Sequence, residues 1–207
     1  MIKLLGSVPR KVTVALSGGV DSMVLLDFLS RNHQVDAAFF NHGTSNSERA
    51  EEFVSTYCAD KKIVLHKGKI HHAHRGREQS PEEHWREERY DFLRQFETVV
   101  TAHHLDDVVE TWVWSSLHGT SSLMPYRRGN VVRPFLLNRK YDLEDWARRK
   151  NVKWIEDTSN NDIGYTRNFI RHQLMPGILL VNPGIHTMLR KKLVERQKDS
   201  PNPLTDK

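Results

Sequence analysis

The six residues Ser17, Gly18, Gly19, Val20, Asp21 and Ser22 have the types and order of a phosphate-holding loop. Gly18 and Gly19 remove side chains, so backbone N–H groups can approach an anion closely. Ser17 and Ser22 add hydroxyl donors, and a helix opening at this point adds the favourable end of its dipole. Two glycines after a strand can equally be a tight turn, but the full string SGGxDS at a strand-to-helix junction is far more specific. No GxxxxGK[ST] occurs, since Gly68 and Lys69 are followed by Ile70, and no GxGxxG occurs either.

A second set of reactive types lies in HHLDDVVET, where His103, Asp107 and Glu110 stand at i, i+4 and i+7. They share one helical face if the helix begins early. Two carboxylates there suit a cationic amino group, and one could help an amine lose its proton. A solvated acidic helix face is the plainer alternative. Against it, the segment follows a strand's carboxyl end and shares the sheet edge with SGGVDS. Arginines form the third set. WREERY carries Arg86 and Arg89 three residues apart, Arg133 precedes Pro134, and RNFIR sets Arg167 and Arg171 one helical turn apart, a spacing that fits phosphate contacts. An ion pair with Glu82 or Glu83 is the simpler account of Arg89. The loop HHAHR (His71, His72, His74, Arg75) reads as a mobile basic loop rather than a metal site.

Short β-branched runs alternating with helical stretches must position these groups. KVTVAL (Lys11–Leu16), VDAAFF (Val35–Phe40), KIVLHK (Lys62–Lys67) and TVVTAHH read as strands. Between them lie helices over Asp21–Arg31, Ser47–Lys61 and, capped by Ser80 with Pro81 in its first turn, from there to about Glu97. A further helix runs from about Leu105 to Leu117, and VVRPFLL is extended because Pro134 excludes a helix interior. Asn138 is placed to cap a helix over Arg139–Lys150, and two more helices cover Thr166–Leu180 and Pro183–Gln197. This alternation predicts an α/β fold, a Rossmann-like parallel sheet of about five strands with helices on both faces, plus a small helical C-terminal part. The expected divisions are 1–137 for the core, 138–198 for the helical part and 199–207 for a frayed tail.

The 207 residues, 38% apolar and 28% charged, suit one domain with an appendage, not a disordered tail or a membrane protein. The absence of a signal segment and the single cysteine, Cys58, point to a cytoplasmic protein without an internal disulfide or iron–sulfur cluster. A net charge of +5 is a mild invitation to a polyanion.

SGGVDS resembles the signature of the PP-loop, or N-type ATP pyrophosphatase, superfamily. The resemblance implies ATP cleaved between its α- and β-phosphates, with Ser17 to Ser22 as the ATP-binding loop and Asp21 as a ligand of Mg2+. A carboxylate beside three phosphates is tolerable only with a divalent cation between them. FNHGTSNSERAEEF, WREERYDFL, TAHHLDDVVETWVWSSLHGT and the long segment from Arg133 to Pro176 follow in order. Over about residues 11–180 they resemble the catalytic domain of the tRNA(Ile)-lysidine synthetase family. Asp157, Asn160, Asp162, Arg167, Asn168, Arg171 and Pro176 fall at that family's spacing. The implied activity adenylates the wobble cytidine of a tRNA with a CAU anticodon and lets the ε-amine of free lysine displace AMP. Asp21, His103, Asp107 and Glu110 would be the catalytic residues. Asp107 and Glu110 would hold lysine, and Arg86, Arg133, Arg167 and Arg171 would contact tRNA. Val108 departs from the glutamine usual in that family, and many members carry further C-terminal domains. The resemblance therefore leaves either an anticodon-loop-only recognition or a homo-oligomer or partner that supplies the rest. Rival readings are a 2-thiocytidine-type PP-loop enzyme, which the single cysteine disfavours, an amidotransferase partner, or a catalytically silent tRNA-binding module.

Overall fold

The computed structural model describes residues 1–70, 81–156 (for 81–83 the backbone alone), 164 and 166–199. Its centre is a six-stranded sheet in the order β3-β2-β1-β4-β6-β5. The strands are β1 (Lys11–Leu16), β2 (Gln34–Asn41), β3 (Leu65–Lys69), β4 (Val99–Val100), β5 (Arg127–Arg128) and β6 (Val131–Val132). Five are parallel, and β5 adds an antiparallel edge to β6. The helices are α1 (Val20–Ser30), α2 (Ser45–Lys61), α3 (Pro81–Leu93), α4 (Leu105–Leu117), α5 (Lys140–Lys150), α6 (Thr166–Phe169), α7 (Met175–Val181) and α8 (Ile185–Asp199), with a π-helical turn at Ile170–Leu174 between α6 and α7. None of the described helices is long and apolar enough to cross a membrane.

Strand alternation sets the layers. Val12, Val14 and Leu16 of β1 and Ala37 and Phe39 of β2 face a core shared with α1, α2 and α5. Ala38 points to the other face, where Leu93 of α3, Val99 and Val131 meet it. A third cluster joins Leu105, Val108, Val109 and Val113 of α4 to Ile185, Leu189 and Leu193 of α8. The Val108 that replaces a polar residue in the resembling family is wholly buried there.

β1 is followed by β2 and β3 to one side, and the chain then returns to lay β4 on the other side of β1. The carboxyl ends of β1 and β4 therefore flank a crevice where the winding reverses, the place where open parallel sheets bind ligands. The loop Ser17–Gly19 leaves β1 there, and Thr101–His104 leaves β4 beside it.

Several element ends differ from the sequence expectation, each for a local reason. α3 stops at Leu93 because the Asn130 amide donates to the carbonyls of Leu93 (2.8 Å) and Phe96 (2.7 Å). β3 starts at Leu65 rather than Lys62, since Lys62 in a left-handed conformation and Ile63 bond back to carbonyls at the end of α2. Asn138 does not cap α5. Arg139 holds that position with its N–H on Asp142 Oδ2 (2.8 Å), while Asn138 binds the N-terminal segment. The single helix expected over 166–180 is broken by the π turn, where Met175 N–H reaches Ile170 O just before Pro176, which has no N–H to give. Ser80, the His71–His74 loop and Asp157, Asn160 and Asp162 lie outside the described residues, as do 200–207 of the expected tail.

Asn138 is 2% exposed; its side chain accepts from Lys3 N–H (2.7 Å) and donates to Lys3 O (2.7 Å) and Phe135 O (3.1 Å). Asn138→Leu removes the partner of both Lys3 backbone groups, while Phe135 O keeps the Asn138 N–H (2.9 Å). It is expected to lower stability by about 2–4 kcal/mol, read as a shifted urea midpoint with unchanged slope. A shift within error would mean that water replaces these bonds.

Candidate active site

The loop after β1 is built by its own hydroxyls. Ser17 N–H donates to Ser22 Oγ (3.1 Å), Ser22 Oγ donates to Gly19 O (3.0 Å), and Gly19 N–H lies 3.3 Å from Ser17 Oγ. Ser22 is 5% exposed, so its hydroxyl shapes the loop instead of standing free as a donor. Gly18 has φ +82°, which favours glycine, and a Cβ there would sit a tight 3.2 Å from Ile155 Cγ1. Val20 and Asp21 open α1 with no side-chain cap, leaving the helix N-terminus available to an anion.

Asp21 faces Lys140 Nζ (3.5 Å) and His104 Nε2 (3.8 Å) through Oδ2. Its Oδ1 is buried without a hydrogen-bond partner. A buried carboxylate oxygen lacking a donor fits a hard divalent cation, so the residues present are compatible with Mg2+ at Asp21. Beside it lies a cavity of about 780 Å3, lined among others by Gly19, Asp21, Arg49, Lys140, Arg148 and Arg171. A smaller one of about 300 Å3 reaches from Ser17 to Phe40, His42, Trp85 and Arg89. Its ring centroids stand 5.2 Å apart for Phe40 and His42 and 5.9 Å for His42 and Trp85.

The second set of residues assembles at the start of α4, but not as spaced on paper. α4 begins at Leu105 with His104 as its N-cap residue, so His103 precedes the helix and shares no helical face with Asp107 and Glu110. His103 Nδ1 is 2.9 Å from Thr101 Oγ1. Burial, reinforced by Arg133, Arg167 and Arg89 and opposed by Asp107, pushes its imidazole down to about 3, hence neutral at pH 7. His104 behaves oppositely. Burial disfavours its charge, yet Asp107, Asp106 and Asp21 outweigh that and raise its pKa above the ordinary value. It is the imidazole that joins the two halves of the site, with Nε2 3.8 Å from Asp21 and 3.7 Å from Asp107. The sequence reading missed it, since histidine and aspartate lie outside the Ser/Thr-x-x-Glu/Gln pattern of a capping box; His104 N–H nonetheless donates to Asp107 Oδ2 at 2.8 Å.

Asp106 was also missed. It accepts Lys140 N–H (2.7 Å), faces His186 Nε2 of α8 (3.0 Å) and lies 3.3 Å from His104 Nδ1. Burial would raise its pKa, but these partners hold it well below the usual carboxylate range. Asp107 is held low in the same way, by His104 and Arg167 against burial.

Arg167 and Arg171 do not stand free on the surface. Arg167 donates to Glu110 Oε2 (2.9 Å) and Asp107 Oδ1 (2.8 Å), and Arg171 to Glu110 Oε1 (2.7 Å) and Oε2 (3.1 Å). Arg133 is 5% exposed with Nη1 on Pro125 O (3.1 Å), and its guanidinium, with those of Arg89 and Arg86, keeps the Tyr90 phenol below its ordinary pKa despite burial. Arg86 is exposed and lies over the Tyr90 ring, Cζ 5.3 Å from the centroid. Thus the fold brings Asp21, Asp107, Glu110, Arg167 and Arg171 into one network through His104. Arg86 and Arg133 belong to a neighbouring cluster around Tyr90.

A doubly wound sheet with a glycine–serine loop at its switch point defines a class of ligand-binding α/β proteins, and the comparison with known families narrows it. The family model described as PP-loop domain matches residues 2–178, and the chain belongs to that family. Among individual proteins it is similar to the tRNA(Ile)-lysidine synthase of Thermotoga sp. (strain RQ2), 33% identical over 212 aligned positions that cover 89% of this chain and 51% of that one. It is likewise similar to that of Legionella pneumophila (strain Paris), 35% identical over 193 positions, 85% of this chain and 44% of the other. The chain spans about half the length of these curated relatives. Among solved structures, the NH3-dependent NAD synthetase from Campylobacter jejuni covers 93% of this chain and 86% of its own, with a TM-score of 0.52 at 16% identity, a likeness of fold.

The neutral histidines generate a pH prediction. His42 and His103 titrate at about 4 and about 3 in the fold, against 6.5 ordinarily. Burial is the main cause in both, and Arg89 adds to it at His42. As pH falls from about 6.5 to 4, the unfolded chain binds protons that the folded chain refuses. Stability should therefore fall by up to about 1.4 kcal/mol per pH unit for each imidazole. Urea melts across this window test it, and His42→Gln should flatten the slope. An unchanged slope in the variant would show that His42 titrates normally.

Proposed function

We propose that this chain is an ATP-dependent ligase of tRNA modification that forms lysidine at the wobble cytidine of a CAU anticodon, with release of AMP and pyrophosphate. The observation that carries the reading is one crevice in which the PP-loop, with Asp21 Oδ1 buried and unpartnered, is joined through His104 to the paired carboxylates Asp107 and Glu110. The similarity to the tRNA(Ile)-lysidine synthases supplies the class of substrate.

In this reading the backbone N–H groups of the loop and the start of α1 hold the ATP phosphates, with Arg49, Lys140 and Arg148 lining the same cavity. Magnesium, held by Asp21, would supply charge neutralisation on the phosphates. The aromatic cavity of Phe40, His42 and Trp85 takes a nucleobase, offering ring faces and the neutral His42. The cytidine 2-carbonyl oxygen attacks the α-phosphorus and pyrophosphate leaves. Lysine then attacks C2 through its neutral ε-amine, the C2–O bond breaks, and AMP departs with the electron pair. Asp107 and Glu110 bind the amino group beforehand. One of these two carboxylates would help the ammonium lose its proton. His103, neutral beside Asp107, contributes a hydrogen-bonding group without a charge. For tRNA, Arg86 and Arg167 are the two of the four candidate arginines most open to phosphate, while Arg133 braces the Tyr90 cluster from inside.

A sulfur-transferring alternative finds no support in Cys58, which is 1% exposed in the core and whose thiol is pushed up to about 11 by burial.

The direct test is mass analysis of nucleosides from a CAU-anticodon tRNA incubated with the protein, ATP, magnesium and lysine. Lysidine, AMP and pyrophosphate are expected. ADP and orthophosphate as sole products would sink the assignment, and tRNA binding without any nucleoside change would favour a silent binding module. Asp21→Asn, which keeps the shape of the side chain, should weaken magnesium dependence by at least about tenfold to a hundredfold. Wild-type magnesium titration in this variant would remove Asp21 as the ligand.

A further inference from the structure

The acceptors of Asp107 and Glu110 are already engaged in this structure. Both Glu110 oxygens accept guanidinium N–H groups, Asp107 Oδ1 accepts Arg167, and Asp107 Oδ2 accepts the His104 backbone. The two carboxylates are deep, with side chains 11% and 4% exposed, and the arginines lie on their solvent side at 47% for Arg167 and 27% for Arg171. An ammonium cannot reach these oxygens while both guanidiniums cover them.

The segment that carries the arginines is lightly anchored. Across α6, the π turn and α7, Ile170 is the one residue classed as buried. Leu174, Met175, Ile178 and Leu179 pack partly against the α4–α8 core. A π turn sits between Arg167 and the rest of the helix's hold on the core, a feature that recurs where helices serve function. Few buried apolar residues, with Arg167 nearly half exposed, describe an element of low local stability.

We propose that Arg167 and Arg171 form an internal cationic lid over Asp107 and Glu110, and that the two substrates open it by exchange of partners. An RNA phosphate draws Arg167 away from Asp107 and Glu110, and the amino group of the second substrate takes the vacated carboxylate oxygens. The inference rests on the amine-and-tRNA reading given above and adds a coupling that neither substrate site has separately. Charge balances throughout, since the phosphate neutralises the departing Arg167 and one ammonium replaces it on the carboxylates, where Arg171 remains. Because the coupling is thermodynamic, the RNA strengthens amine binding by the same factor that the amine strengthens RNA binding. The lid also keeps two buried carboxylates compensated until both ligands are present, when an uncovered pair would be costly.

The experiment is calorimetric titration of L-lysine into the full chain and into Arg167→Gln, each with and without a CAU anticodon stem-loop RNA. In the wild type the RNA should tighten lysine binding by about fivefold or more. Without RNA, Arg167→Gln should bind lysine about fivefold or more tighter than wild type, and its RNA enhancement should vanish. Arg167→Lys, which keeps the charge but loses the two-pronged grip, should fall between them, and circular dichroism melts of all three report folding. A parallel titration with n-butylamine separates the lid from the choice of substrate, because the exchange needs only an ammonium. Tighter butylamine binding in Arg167→Gln with no lysine binding would support the lid and overturn lysine as substrate. Equal affinity, or no binding, of both amines in wild type and Arg167→Gln would overturn the lid. Lysine binding that is strong in wild type and weakened by Arg167→Gln would overturn it as well.

Discussion

Three carboxylates, Asp106, Asp107 and Glu110, are carried into the protein on the first turns of α4, and the placement of their counter-charges organises much of the molecule around them. A buried carboxylate without partners would be neutralised or expelled. Here the partners come from every direction: His104 from the cap, the Lys140 backbone from α5, His186 from α8, and Arg167 and Arg171 from the segment before α7. Each contact ties a sequence-distant element to α4. Helices α5 to α8 are thus held to the sheet by electrostatics at the crevice as well as by the α1–α5 and α4–α8 cores.

That arrangement constrains the chemistry. His104 sits between Asp21 on one side and Asp107 on the other, so the carboxylate of the loop and those of α4 are set relative to each other by one buried ring. Asp21 shares its Oδ2 with Lys140 and His104 and leaves Oδ1 unsatisfied, an asymmetry expected of a ligand-binding carboxylate more than of a structural ion pair. His103, one residue earlier, is driven to neutrality by the same burial because its neighbours are largely guanidiniums instead of carboxylates. The pKa values of two adjacent histidines are therefore shifted in opposite directions, decided by which charges surround them.

The basic surface also reads differently once folded. Arginines that look alike in sequence divide into three kinds: Arg133, buried and bonded to a carbonyl; Arg167 and Arg171, paired with acids at the crevice; and Arg86, exposed over an aromatic ring. Net positive charge reports the total and not this division. Arg167 and Arg171 thus already have partners at the crevice.

The alternation of β-branched runs with helical stretches was enough to specify a mostly parallel α/β sheet, because crossover geometry leaves few other ways to bury those strands. SGGVDS was legible for a similar reason, since Gly18 with its φ of +82° and its closeness to Ile155 disfavours any side chain, and such a preference leaves a mark in the sequence. Strand and helix ends were less legible. The stop of α3 depends on Asn130, 37 residues beyond the Leu93 carbonyl it holds, and Asn138 was drawn from a local cap to the N-terminal segment 135 residues away. Side-chain partners were the least legible of all. Nothing in the spacing of Arg167 and Arg171 tells whether they face a phosphate or the carboxylates of α4, and nothing in HHLDD tells which guanidiniums surround His103. Those outcomes are settled by groups that the chain brings together from far apart, as with Arg167 and Arg171 on Glu110, 57 and 61 residues away. Local sequence encodes backbone conformation through sterics, whereas charge states and ion pairs depend on burial and on neighbours that exist only after the sheet has closed.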